Sequence, residues 1–138
     1  MSLNAYLFFD GNCEEAIAFY ERSVGAQRDA LMRYEENPAA GCPGMHANFG
    51  GKIMHAKLRI GGDELLLADD CMGHPVFQGF SLTLAVADEA EARQRFDALA
   101  AGGKITMPLG PTFFSQCFGM LQDPFGVNWM VIVPAPMP

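Results

Sequence analysis

Apolar and polar positions alternate over short stretches of this chain and twice give way to a helical spacing. Leu3 to Phe9 (LNAYLFF) is aromatic and apolar and stops at Asp10-Gly11, which predicts a strand closed by a turn. Asn12 with Glu15 three residues on has the polar geometry of a capping box. Ala16, Ile17, Tyr20 and Val24 then recur at helical spacing, and Gly25 is the expected stop. The order returns later in the chain. Gly79 to Val86 (GFSLTLAV) predicts a strand, Asp88 with Glu91 a cap, Ala92, Phe96 and Leu99 a buried helical stripe, and Gly102-Gly103 its end.

Each predicted helix is followed by extended segments and closes on a hairpin. In the first half, IMHAKLRI turns at Gly61-Gly62 into DELLLADD; in the second, FFSQCFGMLQ turns at Asp123-Pro124-Phe125-Gly126 into VNWMVIV. The chain therefore reads as β-α-β-β-β written twice. It is expected to be a single domain, 1–138, with a first module at 1–70, a linker at 71–78 and a second module at 79–138. The halves differ mainly in a Pro/Gly-rich insertion, Glu35 to Lys52, which is either a lid over a pocket or a surface loop.

Composition narrows the setting. Half of the 138 residues are hydrophobic and 18% are charged, which suits a packed core. No apolar run reaches the roughly 18–20 residues that span a bilayer. The first residues lack a basic stretch ahead of an apolar one, so a cytoplasmic location is the default expectation. A net charge of −7 with nine basic residues spread thinly argues against nucleic acid or an anionic membrane as partner. Cys13, Cys42, Cys71 and Cys117 form no C-x-x-C pair and read as reduced thiols used as small apolar residues.

Two βαβββ units in one short chain resemble the vicinal oxygen chelate superfamily, which includes glyoxalase I, extradiol dioxygenases, and fosfomycin and bleomycin resistance proteins. Ala16-Ile17-Ala18-Phe19-Tyr20 resembles its first-helix signature. Met54 to Gly61 (MHAKLRIG) and Asp123 to Trp129 (DPFGVNW) resemble the PhnB-like branch. The resemblance implies an α+β fold of the glyoxalase/bleomycin resistance type, in which two tandem βαβββ modules form a cupped mixed sheet with helices on the outer face. That branch often carries the label of a demethylubiquinone methyltransferase. Asp10-Gly11-Asn12 precedes a helix but lacks the Gly-rich turn of a nucleotide-type methyl-donor site, and the alternating parallel βαβ order is missing.

In metal-dependent members of the superfamily, four strands each give one ligand from inside the cup. Aligned on the helix starts and the DPFG turn, those positions fall at Ala5, Leu67, Ser81 and Met130. None is a carboxylate or imidazole, so no metal and no cofactor is expected. Alternation along the strands puts Leu7 with Ala5, Leu65 with Leu67, Thr83 with Ser81, and Asn128 with Met130. A tight DPFG turn would bring Gly119 opposite Met130 and add Ser115 and Cys117 to the same lining. The opposite phase, Tyr6, Phe8, Leu66, Leu82, Leu84, Trp129 and Val131, would pack against the helices.

This lining, mostly apolar with a few hydroxyl and amide groups, suits a small-molecule ligand. The expected function is metal-independent small-molecule binding. The alternatives are a glyoxalase- or dioxygenase-type metalloenzyme with ligands relocated to His55 or His46, and a sequestering protein of the bleomycin-resistance kind. The Gly61-Gly62 turn sets His55 opposite Ala68, outside the inferred cup. His74 falls in the linker, Cys117 reads as inert packing, and Asp69-Asp70 as a solvated strand end. Exposed sheet edges and the apolar tail 131–138 leave room for a homodimer.

Overall fold

A computed structural model describes residues 1–36, 50–71 and 73–135. Most of the predicted insertion (37–49), with Cys42 and His46, lies outside the described residues. The chain forms two compact units, Met1–Val76 and Phe77–Pro138.

The first unit runs β1 (Ala5–Phe9), α1 (Cys13–Ser23), β2 (Gln27–Arg33), a 3-10 turn at Tyr34–Glu36, β3 (Ile53–Ile60) and β4 (Asp63–Asp69). The second runs β5 (Leu82–Ala85), α2 (Glu89–Ala100), β6 (Lys104–Gly110), β7 (Ser115–Gln122) and β8 (Asn128–Pro134). Each unit is one four-stranded mixed sheet, ordered β1-β4-β3-β2 or β5-β8-β7-β6. The β1–β4 and β5–β8 pairs are parallel, and the other neighbours antiparallel. This is the α+β architecture of tandem βαβββ modules.

Each helix buries one stripe. In α1, Ala16, Ile17 and Tyr20 are fully buried; in α2, Ala92, Phe96 and Leu99 are. The spacing of these apolar residues alone puts them on one side of a 3.6-residue period. After α1, Gly25 takes a φ of 69° that L side chains rarely adopt, which lets the Ala26 N–H turn back to the Tyr20 carbonyl.

The Gly61-Gly62 hairpin has the expected two-residue turn, with Ile60 opposite Asp63, Leu58 opposite Leu65 and Ala56 opposite Leu67. The DPFG hairpin does not. Gln122 pairs with Asn128, leaving five residues in the loop. The Gly126 N–H donates to the Asp123 carbonyl across a four-residue turn, and Gly126 itself sits at φ 92°. A left-handed glycine after such a turn adds one residue to the hairpin. Met130 is therefore opposite Met120, and Gly119 is opposite Val131. A slip of one residue moves every side chain of β7 to the other face.

Cys13 and Cys117 are free and buried. Cys71 is disulfide-bonded, which corrects the reading of all four cysteines as thiols.

Candidate functional site

The two faces of the first sheet are told apart by Asp69. One carboxylate oxygen accepts the Cys13 N–H at the start of α1, and the other the Ile53 N–H at the start of β3, both at 2.9 Å. Asp69 therefore points to the helix side, and Leu67 and Leu65 share its face by alternation. Leu7 is in register with Leu67, and Phe9 with Asp69. All are buried; Leu67 is 0% and Leu7 2% exposed. The opposite face carries Tyr6 and Phe8, at 38% and 47% exposure.

This inverts the phase expected for the first half. Leu7, Leu65 and Leu67 pack under α1, and Ala5, in register with Leu65, opens the same row. The physical cause is a difference in the two strand-to-helix connections. Phe9 is the last helix-side residue before Asn12, whereas Val86, 8% exposed, stands closer to Asp88 by one position. Gly11, at φ 85°, lies in the longer connection. Alignment on the helix starts therefore slips one residue along β1, and one residue is one face.

In the second sheet the faces fall as expected for β5 and β8. Trp129 and Val131 are buried, and Thr83 lies in register with Met130 on the other side. The extra residue in the DPFG loop moves Ser115, Cys117 and Gly119 from the expected lining to the buried side. A Cβ on Gly119 would come within 2.7 Å of the Phe96 ring of α2. Cys117 is 2% exposed, and burial pushes its thiol pKa up, so it is not poised as a nucleophile. Ser115 Oγ lies 2.7 Å from the Val133 carbonyl and accepts the Cys117 N–H at 3.1 Å, where β7 shifts register against β8.

Three residues of the expected lining lie around one cavity, and Thr83 is not among those that border it. Ser81, Asn128 and Met130 border a cavity of about 500 Å³ with Gly79, Phe80, Thr106, Met120, Leu121 and Trp129. Phe80, Thr106 and Met120 were not read from the sequence. Met120 was hidden by the register slip, and Thr106 lies in β6, whose place in the sheet had no turn to fix it.

The open face of the first sheet carries a second arrangement. The Tyr6 hydroxyl lies 3.1 Å from Nδ1 of His55, and the Phe8 ring stacks on Tyr6 with centroids 4.8 Å apart and planes 15° from parallel. Met32 is in register with His55 and 39% exposed. His55 is thus on the accessible side, because the face expected to be outside the cup is the open one. His74 stands 3.6 Å from the Asp10 carboxylate and is solvent-exposed.

Asp69 is the opposite of a solvated strand end. It is 1% exposed, and burial raises its pKa against the opposing pull of its N–H donors and of the Lys52 charge. Its backbone carbonyl accepts the Tyr34 hydroxyl at 2.7 Å. A cavity of about 300 Å³ beside it is bordered by Glu14, Glu15 and Lys52, and Lys52 Nζ already donates to the Gly11 carbonyl at 2.8 Å. This cluster ties elements together structurally.

Residues 2–132 match the family described as 3-demethylubiquinone-9 3-methyltransferase. The chain is 37% identical to Protein YjdN of Escherichia coli (strain K12), across all of this chain and 99% of that protein. A Pseudomonas aeruginosa protein of solved structure is 38% identical, with a TM-score of 0.86 over 97% of this chain and 98% of that one. A Bacillus cereus structure, described as a putative 3-demethylubiquinone-9 3-methyltransferase, PhnB protein, is 30% identical with a TM-score of 0.80, over 96% and 99% of the two chains. The chain belongs to this PhnB-like family. At the level of fold alone, it is also similar to a Frankia glyoxylase/bleomycin resistance protein/dioxygenase domain, with a TM-score of 0.70 at 14% identity over 100% of this chain and 93% of that one.

Among the described residues, the donor set does not fit the divalent metal that the resemblance implies. The open face of the second sheet offers hydroxyl, amide and thioether groups from Thr83, Asn128 and Met130. That of the first offers a phenol and an imidazole already bonded to each other, and Glu64 is 3.6 Å from Lys57. Among the described residues, no three His, Cys, Asp or Glu side chains gather where they could hold a metal ion. Hard and borderline cations need several oxygen or nitrogen ligands on one centre. Among the described residues, no helix is long and apolar enough to cross a membrane.

Proposed function

We propose that this PhnB-like protein binds a small, partly apolar molecule in the cavity on the open face of its second sheet, without requiring a divalent metal. The observation that carries this reading is the lining itself. Phe80, Met120 and Met130 supply apolar and polarisable surface, while Ser81, Thr106 and Asn128 supply a few orienting hydroxyl and amide groups. A volume of about 500 Å³ falls within the range of small-molecule sites. Thioether side chains adapt to ligand shape at little cost. Among the described residues that border it, none is a carboxylate, imidazole, amine or thiol, and the polar groups are the hydroxyls of Ser81 and Thr106, the Asn128 amide and the Trp129 indole.

A protein-observed NMR screen with small uncharged fragments, in buffer containing a chelator, tests it. Fragments that bind should shift the signals of Ser81, Thr106, Asn128 and Met130, and Met130→Trp, which fills the cavity, should abolish those shifts. The reading fails if fragments act only after a divalent metal is restored, or if Met130→Trp leaves binding intact.

A further inference from the structure

We propose that the second sheet carries a site for a soft monovalent cation of the Cu(I) class, liganded by the thioethers of Met107, Met120 and Met130. The three residues belong to one unit of the fold. The inference goes beyond the small-molecule reading and does not rest on it.

The argument starts from the register. Met107 on β6 is opposite Met120 on β7, and Met120 is opposite Met130 on β8. Directly opposed residues project from the same face, so three thioethers stand in one row across three neighbouring strands. That face is the open one. Leu121, Trp129 and Val131, one position along, are buried, whereas Met107 is 43% exposed and Met120 and Met130 are half-buried. Met107 reaches the row through a bulge. β6 runs from Ile105 to Met107 where β7 runs only from Leu121 to Met120, so Thr106 is the extra residue. Without it, Met107 would fall opposite Gly119 and point to the helix side. A bulge that re-aims one side chain is a common device beside a site.

The chemistry of the row fixes which ion it takes. Cβ atoms of opposed residues lie about 4.5–5.5 Å apart. Methionine is long, unbranched and adaptable, so the outer two side chains have the reach to lean over the central one and share an ion. Thioether sulfur is a soft, uncharged donor that selects Cu(I), whereas hard cations select oxygen. A row of three is not what strand propensity favours, since strands enrich β-branched and aromatic residues. Thioethers also carry no proton to lose. Binding to them is therefore free of the pH dependence that thiolate and imidazole ligands impose.

Anaerobic titration of the full chain with Cu(I), in competition with a chromophoric Cu(I) chelator and followed by the methyl signals of isotope-labelled methionine, tests this. The signals of Met107, Met120 and Met130 should shift, and those of the other methionines should stay in place. Met107→Leu and Met120→Leu nearly conserve volume and keep the fold. Each should weaken binding by at least about tenfold, since losing even an outer partner of a metal ligand costs that much. Affinity should stay within about twofold from neutral pH down to about 5, because no thioether titrates there. Met107→Leu should leave the shifts caused by uncharged fragments at Ser81 and Asn128 unchanged, because Met107 is not among the residues that border the cavity. A chain that binds Cu(I) through this row but no fragment therefore supports this proposal and refutes the small-molecule reading. Cu(I) that leaves the three methionine signals in place, or indifference to both variants, overturns the proposal. So does binding that is lost at the lower pH, which puts the ion on cysteine or histidine.

Discussion

The two halves of the chain enter their helices by different routes. In the second half the device is local. The Asp88 carboxylate accepts the Glu91 N–H at 2.8 Å, and the Glu91 carboxylate reaches back to the Ala87 N–H at 3.1 Å. In the first half Asn12 holds the equivalent place but makes no side-chain cap bond. The donor at the start of α1 is instead satisfied by Asp69, from the far end of the module. One helix is capped by its own sequence, the other by the folded sheet. The same contrast separates the two buried carboxylates. Asp123 gathers N–H groups from within its own hairpin, Phe125, Val127 and the Trp129 indole, whereas Asp69 joins β4 to α1 and β3. A local device is legible before folding, and a remote one exists only after it.

The sharpest way to break this comparison is Asp69→Ala. It leaves the Cys13 and Ile53 N–H groups buried with no acceptor, and should cost about 3 kcal/mol of unfolding free energy in a urea titration. If it costs no more than a surface substitution, the remote cap is not what anchors α1. The pH dependence has a definite sign. The folded pKa of Asp69 is raised above its ordinary value of 3.8, so the native state holds this proton more tightly than the unfolded chain. The part of its stability that depends on this proton is fully present below that ordinary value and is lost as pH rises through the folded one, while the acceptance of the two N–H groups remains. The stability gap between the natural protein and Asp69→Ala should therefore widen as pH falls from neutral towards 4, read by urea midpoints across that range.

The next largest effect tests which face β7 presents. Gly119 lies under α2, where an added Cβ would meet the Phe96 ring at 2.7 Å and Leu109 at 3.0 Å. Gly119→Ala should therefore cost about 2 kcal/mol through forced repacking. Were Gly119 on the open face, as a two-residue DPFG turn would place it, the added methyl would meet no such contact and the thermal midpoint would barely move.

That substitution also marks the limit of what the sequence could say. The order of elements, the helix stripes at Ala16-Ile17-Tyr20 and Ala92-Phe96-Leu99, and the Gly61-Gly62 register follow from periodicity and turn chemistry, which act over a few residues. The faces needed one more fact each. Gly126 adds a residue to the DPFG loop, and the connection through Gly11 adds one between β1 and α1. Neither addition disturbs hydrophobic alternation, so the pattern reads equally well in either phase. Thr83 and Met130 lie on the face that alternation alone gives them, because β5 and β8 are outside both slips. Tyr6 and His55 were legible as residues but not as a pair, since they meet only across β4.

The smallest effect is the most diagnostic of the contrast between the two helix starts. Asp88→Ala removes a side chain that accepts a backbone N–H at the first turn of α2, and loss of such a cap costs about 1 kcal/mol. Asn12→Ala removes a residue of equally good capping chemistry in the equivalent place, yet its side chain satisfies no helix N–H, and the change should stay within about 0.5 kcal/mol. Matched chemical denaturation of the two variants reads the difference directly. Equal losses would mean that Asn12 caps α1 in solution and that Asp69 is redundant there. A larger loss at Asn12 in the Asp69→Ala background than in the natural chain would show the local cap taking over once the remote one is gone. The two variants would then be coupled rather than additive, as expected of groups that compete for the same orphan donors.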